Sequence, residues 1–321
     1  MLRIRVATTL AVYGLAAAVS MAQSGAPASA TPGKVREYRR ANEHKIMREL
    51  SDLLAIPNVA TDLPNIQRNA DKLKAMLEAR GVKVRFLPIQ GRGPVVYGEL
   101  ATPGATRTIM FYAHYDGQPT DPTRWTDSKP WEPVLRNAAI EHGGKLIAFP
   151  AAGTPFQDDW RIYARSASDD KSPIVAILAG LDAMRAAKVP LAVNVKFLLD
   201  GEEEAGSPNL ESVLMAHRDL LKADALIAAD GPVHQSGRLQ LSFGNRGVMD
   251  MDITVYGPSR PLHSGHYGNW APNPGMMLAQ LLASMKDAEA ACSSQAFTTT
   301  WCRLPARRNA HSMKCRTTMP T

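Results

Sequence analysis

The amino-acid sequence predicts an α/β protein: a mostly parallel sheet flanked by helices, with a smaller, partial α+β domain after it. Three observations carry this. Thr108 to Ala113, Leu191 to Leu199 and Ala225 to Ala229 are short apolar runs, the second alternating at period two, and all three read as buried strands. Pro173 to Ala187 lies between the first two and has helical periodicity, with proline at its start, where no N–H is needed. Strand, helix, strand is the natural parse, and a parallel sheet built this way binds ligands beyond the carboxyl ends of its strands.

The remaining elements are taken in chain order. "MLRIRVATTLAVYGLAAAVSMA" carries two arginines, an apolar stretch and small residues at Ser20 and Ala22, which reads as a secretory signal over 1–22, cleaved after Ala22. That predicts an exported protein, periplasmic or extracellular, with no membrane contact after cleavage. The stretch is too short and alanine-rich for a membrane span. Residues 23–33, rich in Ala, Ser, Gly and Pro, are expected to be a flexible linker. The first folded domain, 34–245, opens with amphipathic helices over Lys34 to Leu54 and Ile66 to Arg80, then strands over Val82 to Pro88 and Pro94 to Ala101. Gly117 to Asp159, which holds Trp125 and Trp131, reads as a long loop. Near Gly244 the character changes. "GNRGVMDMDITVYG" is strand-like, and Pro274 to Lys286 is a Met- and Leu-rich helix whose methionines are expected in a core. Asn273 is its expected N-cap. A second, partial domain is therefore placed at 246–289.

The last segment, 290–321, is unlike the rest. It holds all three cysteines, Cys292, Cys302 and Cys315, and five basic residues without an acid. Together with Arg3 and Arg5, those basic residues account for the net charge of +7 and leave 23–289 balanced, so the basic pI implies no nucleic-acid partner. The lack of cysteine from 23 to 289 means no disulfides there, and the core alone must stabilise an exported protein.

Six acidic or histidine side chains stand at the ends of apolar runs: His114 and Asp116 in "IMFYAHYDG", Asp169 in "ARSASDDKS", Glu203 and Glu204 in "LLDGEEEAGS", and Asp230 in "LIAADG". Singly, each has an ordinary use as a turn residue, a helix cap or a charged loop. Together, in this order and at strand ends, they match what a metal pair needs, which is hard oxygen and imidazole ligands converging from separate segments.

These motifs, with "RWTDSKPWEPVLRN", "DGP", "GNRG" and "HSGHYGNWAPNP", resemble peptidase family M20 from about Arg36 to Asp287. This is the metallo-dipeptidase, carboxypeptidase and aminoacylase group, and the likeness is to its carnosinase-like dipeptidases. The resemblance implies a zinc-exopeptidase-like catalytic domain followed by part of a lid and dimerisation domain. It makes His114 a ligand of one metal, Asp169 the carboxylate bridging two, Glu204 a ligand of the second, and Asp230 a ligand of the first. Glu203 becomes the general base, and Asp116, two residues past His114, supports catalysis by orienting that imidazole. It further implies two divalent cations, zinc first, with manganese or cobalt as alternatives, and a cis peptide between Asp169 and Asp170. His263 is implied to face substrate, in the partner's site of a homodimer.

The implied reaction is hydrolysis of dipeptides or short peptides by a metal-activated water. The alternatives are an amidohydrolase acting on N-acyl amino acids, or an inactive metal-binding remnant. Where relatives have Gly-Arg-Gly and Lys-Gly about the bridging aspartate, this chain has Ala164-Arg165-Ser166 and Lys171-Ser172. The tail is expected to come from a shifted reading frame near Ala288 to Ala291: moved by two nucleotides, the codons for "CSSQAFTTTWC" accommodate "LIxGFYDDVV", similar to the segment after the lid helix in this family. On that reading the last part of the catalytic domain is missing. In relatives that part supplies the final histidine ligand and the arginine and glycine-rich loop that hold the substrate carboxylate.

Overall fold

The computed structural model describes residues 30–231, 236, 240–244 and 251–285. The expected signal at 1–22 and the tail at 290–321 lie outside the described residues. The chain divides into two compact units, Met1–Gln235 and Ser236–Thr321, ahead of the boundary expected at 245/246.

Helix α1, Ala30–Leu54, starts within the segment expected as linker. Pro32 does not prevent this, because first-turn N–H groups have no helical partner to lose. Helix α2, Leu63–Glu78, is capped by Asp62, whose side chain accepts from the Asn65 N–H. It buries Ile66, Ala70, Leu73 and Leu77, the four-three-four spacing of one helical stripe. Strands β1, Lys83–Leu87, β2, Val95–Leu100, and β3, Thr108–His114, come next.

The expected long loop folds partly into a second small sheet. Strands β4, Val134–Arg136, β5, Leu146–Ile147, and β6, Arg161–Tyr163, pair antiparallel in the order β5-β4-β6. Strands of two or three residues leave no readable alternation. Arg136 pins this sheet by donating to Gly144 O and Asp127 Oδ2, and it lies over the Tyr163 ring.

Helix α3, Lys171–Ala186, leads to β7, Asn194–Asp200, and the short helix α4, Leu210–Ala216, leads to β8, Ala225–Ala228. The main sheet is mixed, in the order β1-β2-β7-β3-β8. β1, β2 and β7 pair antiparallel, while β3 runs parallel to both β7 and β8, so the parallel half is the one carrying the site residues.

Alternation along the strands feeds two cores. One face of the sheet sends Val96, Ala113, Val195, Phe197 and Leu199 against α1, α2 and α3. The other sends Val95, Tyr97, Met110 and Leu198 against Val213 of α4. Arg80, almost fully buried, joins the three large helices by bonding Glu49 of α1 and Asp182 of α3.

The second unit contains helices α5, Ser264–Tyr267, and α6, Pro274–Ser284. Asn273 caps α6 as expected, accepting from the N–H groups of Gly275 and Met276. Two expectations are corrected here. Residues 251–257 of the strand-like segment are irregular, while 245–250 lie outside the described residues. Met276 and Met277 are exposed rather than in a core. Burying the apolar side of a helix takes a second layer, and no strand of this unit is among the described residues.

Candidate metal centre

The parallel ladder sets the site. β3 and β7 place His114 opposite Asp200, and β8 lies along the other side of β3. The chain therefore leaves three adjacent strands at one edge, carrying His114 to Gln118, Gly201 to Glu204, and Asp230. The fourth contributor is the start of α3, where Asp169 and Asp170 are joined by a cis peptide.

His114 is fully buried and lies at the focus. Its Nε2 is 2.8 Å from Asp169 Oδ1 and 3.8 Å from both Glu203 Oε2 and Asp230 Oδ2. Its Nδ1 faces Asp116, 3.3 Å from Oδ1 and 3.2 Å from the backbone oxygen. Asp116 thus stands against the ring nitrogen that faces away from the cluster. It has a second task invisible in the sequence. Its Oδ1 accepts from the Glu203 N–H and its Oδ2 from the Glu204 N–H, both at 3.0 Å, so one buried carboxylate fastens the end of β3 to the turn after β7.

That turn sorts the three glutamates. Glu202 is buried and accepts from the backbone and side chain of Asn209. Glu203 and Glu204 remain partly exposed, and Gln118 Nε2 holds Glu204 Oε2 at 2.6 Å. Asp200, fully buried, accepts from Ser207 Oγ and the Glu202 N–H.

Several positioning residues had no side-chain role assigned from the sequence. Asp170 is buried and accepts from the His114 N–H at 3.1 Å. Asn58, in the connection after α1, donates to Tyr115 O and Ser166 Oγ and accepts from Trp131 Nε1. The Gly117 N–H donates to Asn58 O. Gly117 cannot be larger here, since a Cβ would lie 2.3 Å from Ser166 Oγ. Lys171, fully buried, ties α3 to the end of α1 by donating to Leu53 O and Ile56 O, and burial pushes its pKa down to about 7.

Two overlapping groups have ligand atoms mutually within 4.8 Å: His114, Asp169 and Glu204, and His114, Asp170 and Asp230. All four expected ligands are therefore brought together, with Asp170 added. Among the described residues no lysine or arginine pairs with Asp169, Glu203, Glu204 or Asp230, so this carboxylate cluster is an environment for a cation. The titrations agree. Burial alone would lower the His114 pKa, but the neighbouring Asp116, Asp170 and Glu203 raise it to about 10. Burial raises Asp170 to about 7 against the opposing pull of His114. Glu203 is raised by burial first, then by Asp230 and Glu204, with His114 opposing. The set of one imidazole and several carboxylates is hard and borderline in character, which fits a divalent metal.

His263 belongs to the second unit. Its Nδ1 accepts from the Gly265 N–H at the start of α5, and its ring packs on His266 with centroids 4.9 Å apart.

The chain is similar to several known proteins. The chain is 26% identical over 266 residues to the Cys-Gly metallodipeptidase dug1 of Schizosaccharomyces pombe, covering 78% of this chain and 52% of that protein. It is 26% identical over 301 residues to the Beta-Ala-His dipeptidase of Homo sapiens, covering 88% and 54%. The chain spans about half the length of the curated relatives it matches. Among solved structures it is similar to an M20 family metallo-carboxypeptidase from Sulfolobus solfataricus, with a TM-score of 0.60 at 30% identity over 76% of this chain and 50% of that one. Residues 110–301 match the description Peptidase family M20/M25/M40, and with the site motifs inside that span the chain belongs to this family.

Proposed function

We propose that the centre hydrolyses the peptide bond of dipeptides or short peptides with a metal-activated water. The observation that carries this is the convergence of His114 Nε2, Asp169, Glu203 and Asp230 at the ends of adjacent parallel strands. In this reading His114, Asp169 and Asp230 hold one divalent cation, and Asp169 and Glu204 a second, with zinc ahead of manganese or cobalt. Such cations supply Lewis acidity, polarising a carbonyl and acidifying a water.

The chain's own residues supply the rest. Glu203 takes the proton of the attacking water and returns it to the leaving amine, a task suited to a carboxyl whose pKa is raised. Asp116 keeps Nε2 of His114 directed at the metal and holds the Glu203-Glu204 turn. Gln118 steadies Glu204. His263 faces substrate, in the site of a partner subunit, and the protein acts as an exported homodimer without nucleic-acid or membrane partners. Relatives named as dipeptidases support peptides over N-acyl amino acids as substrates.

The test has two stages. Calorimetry should show zinc binding that a His114→Ala, Asp169→Ala double variant lacks. On a panel of dipeptides and N-acyl amino acids, Glu203→Gln should keep its metal and lose most turnover, whereas Glu204→Gln should lower metal content. Cleavage of N-acyl amino acids alone would favour the deacylase. Zinc binding without turnover on either substrate class would leave a metal-binding remnant.

A further inference from the structure

A cavity of about 460 Å³ is lined by Pro119, Thr120, Asp121, Arg124, Trp125 and Arg165. It shares residues with the loops that build the metal centre. Pro119 follows Gln118, whose amide holds Glu204, and Arg165 precedes Ser166, which is bonded to Asn58. Two guanidinium groups line it, and among the described residues neither has a carboxylate partner. Arg165 Nη2 makes only a 3.5 Å bond to Pro119 O, and its Nε is buried with no acceptor. Asp121 is already engaged, since its Oδ1 accepts from the N–H and hydroxyl of Thr123. The cavity thus combines an excess of positive charge, guanidinium groups with few acceptors and the indole of Trp125.

We infer that this cavity is a subsite for a carboxylate of the substrate, with Arg165 and Arg124 as its donors and Trp125 as its apolar wall. Guanidinium groups suit this use because their forked N–H groups match the two oxygens of a carboxylate. The inference rests on the peptidase reading, since it makes the ligand part of a short peptide. The carboxylate has two sources, the C-terminus of the peptide or an acidic side chain, and the experiment separates them.

Three probes are titrated calorimetrically into the full 321-residue chain, with zinc and after chelation. N-acetyl-alanine carries only a terminal carboxylate, N-acetyl-glutamate α-amide only a side-chain one, and N-acetyl-alaninamide neither. Saturable binding is expected for at least one carboxylate probe and not for the neutral amide, and the probe that binds names the source. Arg124→Met, at an exposed position, should weaken that binding on the order of tenfold, as expected for a lost charge-assisted hydrogen bond. Arg165→Lys keeps the charge and loses the fork, so it should retain part of the affinity that Arg165→Met loses. Zinc titration of the same variants should match the wild type. Equal binding of all three probes, or carboxylate binding unchanged by Arg124→Met and Arg165→Met, overturns the subsite. Failure of the wild type to bind zinc, with carboxylate binding intact in the chelated protein, overturns the peptidase reading and leaves the anion site standing.

Discussion

Strands β7 and β8 flank β3 as parallel neighbours, and each delivers acidic residues to the same centre, yet they are unlike. In β7 every residue after Asn194 is buried, whereas all four residues of β8 are exposed. Hydrogen bonding is part of the difference, because β7 is laddered to both β2 and β3 and β8 to β3 alone. Packing is the other part. Alternate residues of β7 enter cores on both faces of the sheet, while Leu226 and Ile227 of β8 lie open. The contrast reaches the site. The Glu203-Glu204 turn beyond β7 is fastened by Asp116, while the Asp230 carboxylate has, among the described residues, only His114 at 3.8 Å. One half of the centre is fastened by the chain's own hydrogen bonds, and the other is not.

The largest expected difference is in stability. Phe197→Ala, which removes a fully buried ring from the middle of β7, should cost about 3–5 kcal/mol. Ile227→Ala in β8 should cost less than about 1 kcal/mol. Urea denaturation followed by circular dichroism measures both, and equal midpoint shifts would break the comparison. Metal affinity should divide in the same way. Asp116→Asn should weaken zinc binding about 10–100-fold, since it disturbs both the imidazole and the turn. Asp230→Asn should give a smaller loss, because a carboxylate with no hydrogen-bonded partner among the described residues disturbs little else when changed. Competition against a chromogenic chelator would show the order, and a larger effect at Asp230 would reverse the assignment of the firm half.

Gly117→Ala tests how closely the firm half is packed. A methyl 2.3 Å from Ser166 Oγ and 3.1 Å from Asn58 must part the two loops, at about 1–3 kcal/mol of stability. Thermal unfolding with and without zinc should show a reduced shift on metal addition. The mildest probe is hydrogen exchange. Amides over 225–228 should exchange faster than those over 194–200, and zinc should slow the former more.

Much of this was legible in the sequence where one physical signal dominated. β3, β7 and β8 announce themselves as apolar runs, and α3 by its period and its proline. The order of acidic and histidine motifs named side chains that the structure brings together. What stayed hidden depends on contacts between distant segments. Glu202, Glu203 and Glu204 are chemically alike, and only the turn after β7 sends the first inward and leaves the other two facing the cluster. Asp170 was named only for its peptide bond to Asp169, yet its side chain is buried against the His114 backbone. Asn58 lies in no motif, and Gln118, next to the His114 motif, had no role assigned to it, because their use is defined by partners far along the chain. In the second unit, period-two alternation at 251–257 did not yield a strand, since alternation is a preference that only a neighbouring strand realises.

Asn58 carries a consequence for the order of events in folding. Its side chain reaches Tyr115, Trp131 and Ser166, which are 57, 73 and 108 residues away in sequence. Bringing such segments together means closing long loops, whose entropy must be lost before the contacts repay it. The β1-β2 hairpin can form from neighbours in sequence, but the pocket proposed to take a metal waits until three remote loops meet on one amide. On a nascent chain this makes the chemistry of the protein a late arrival, assembled on a scaffold that is already standing.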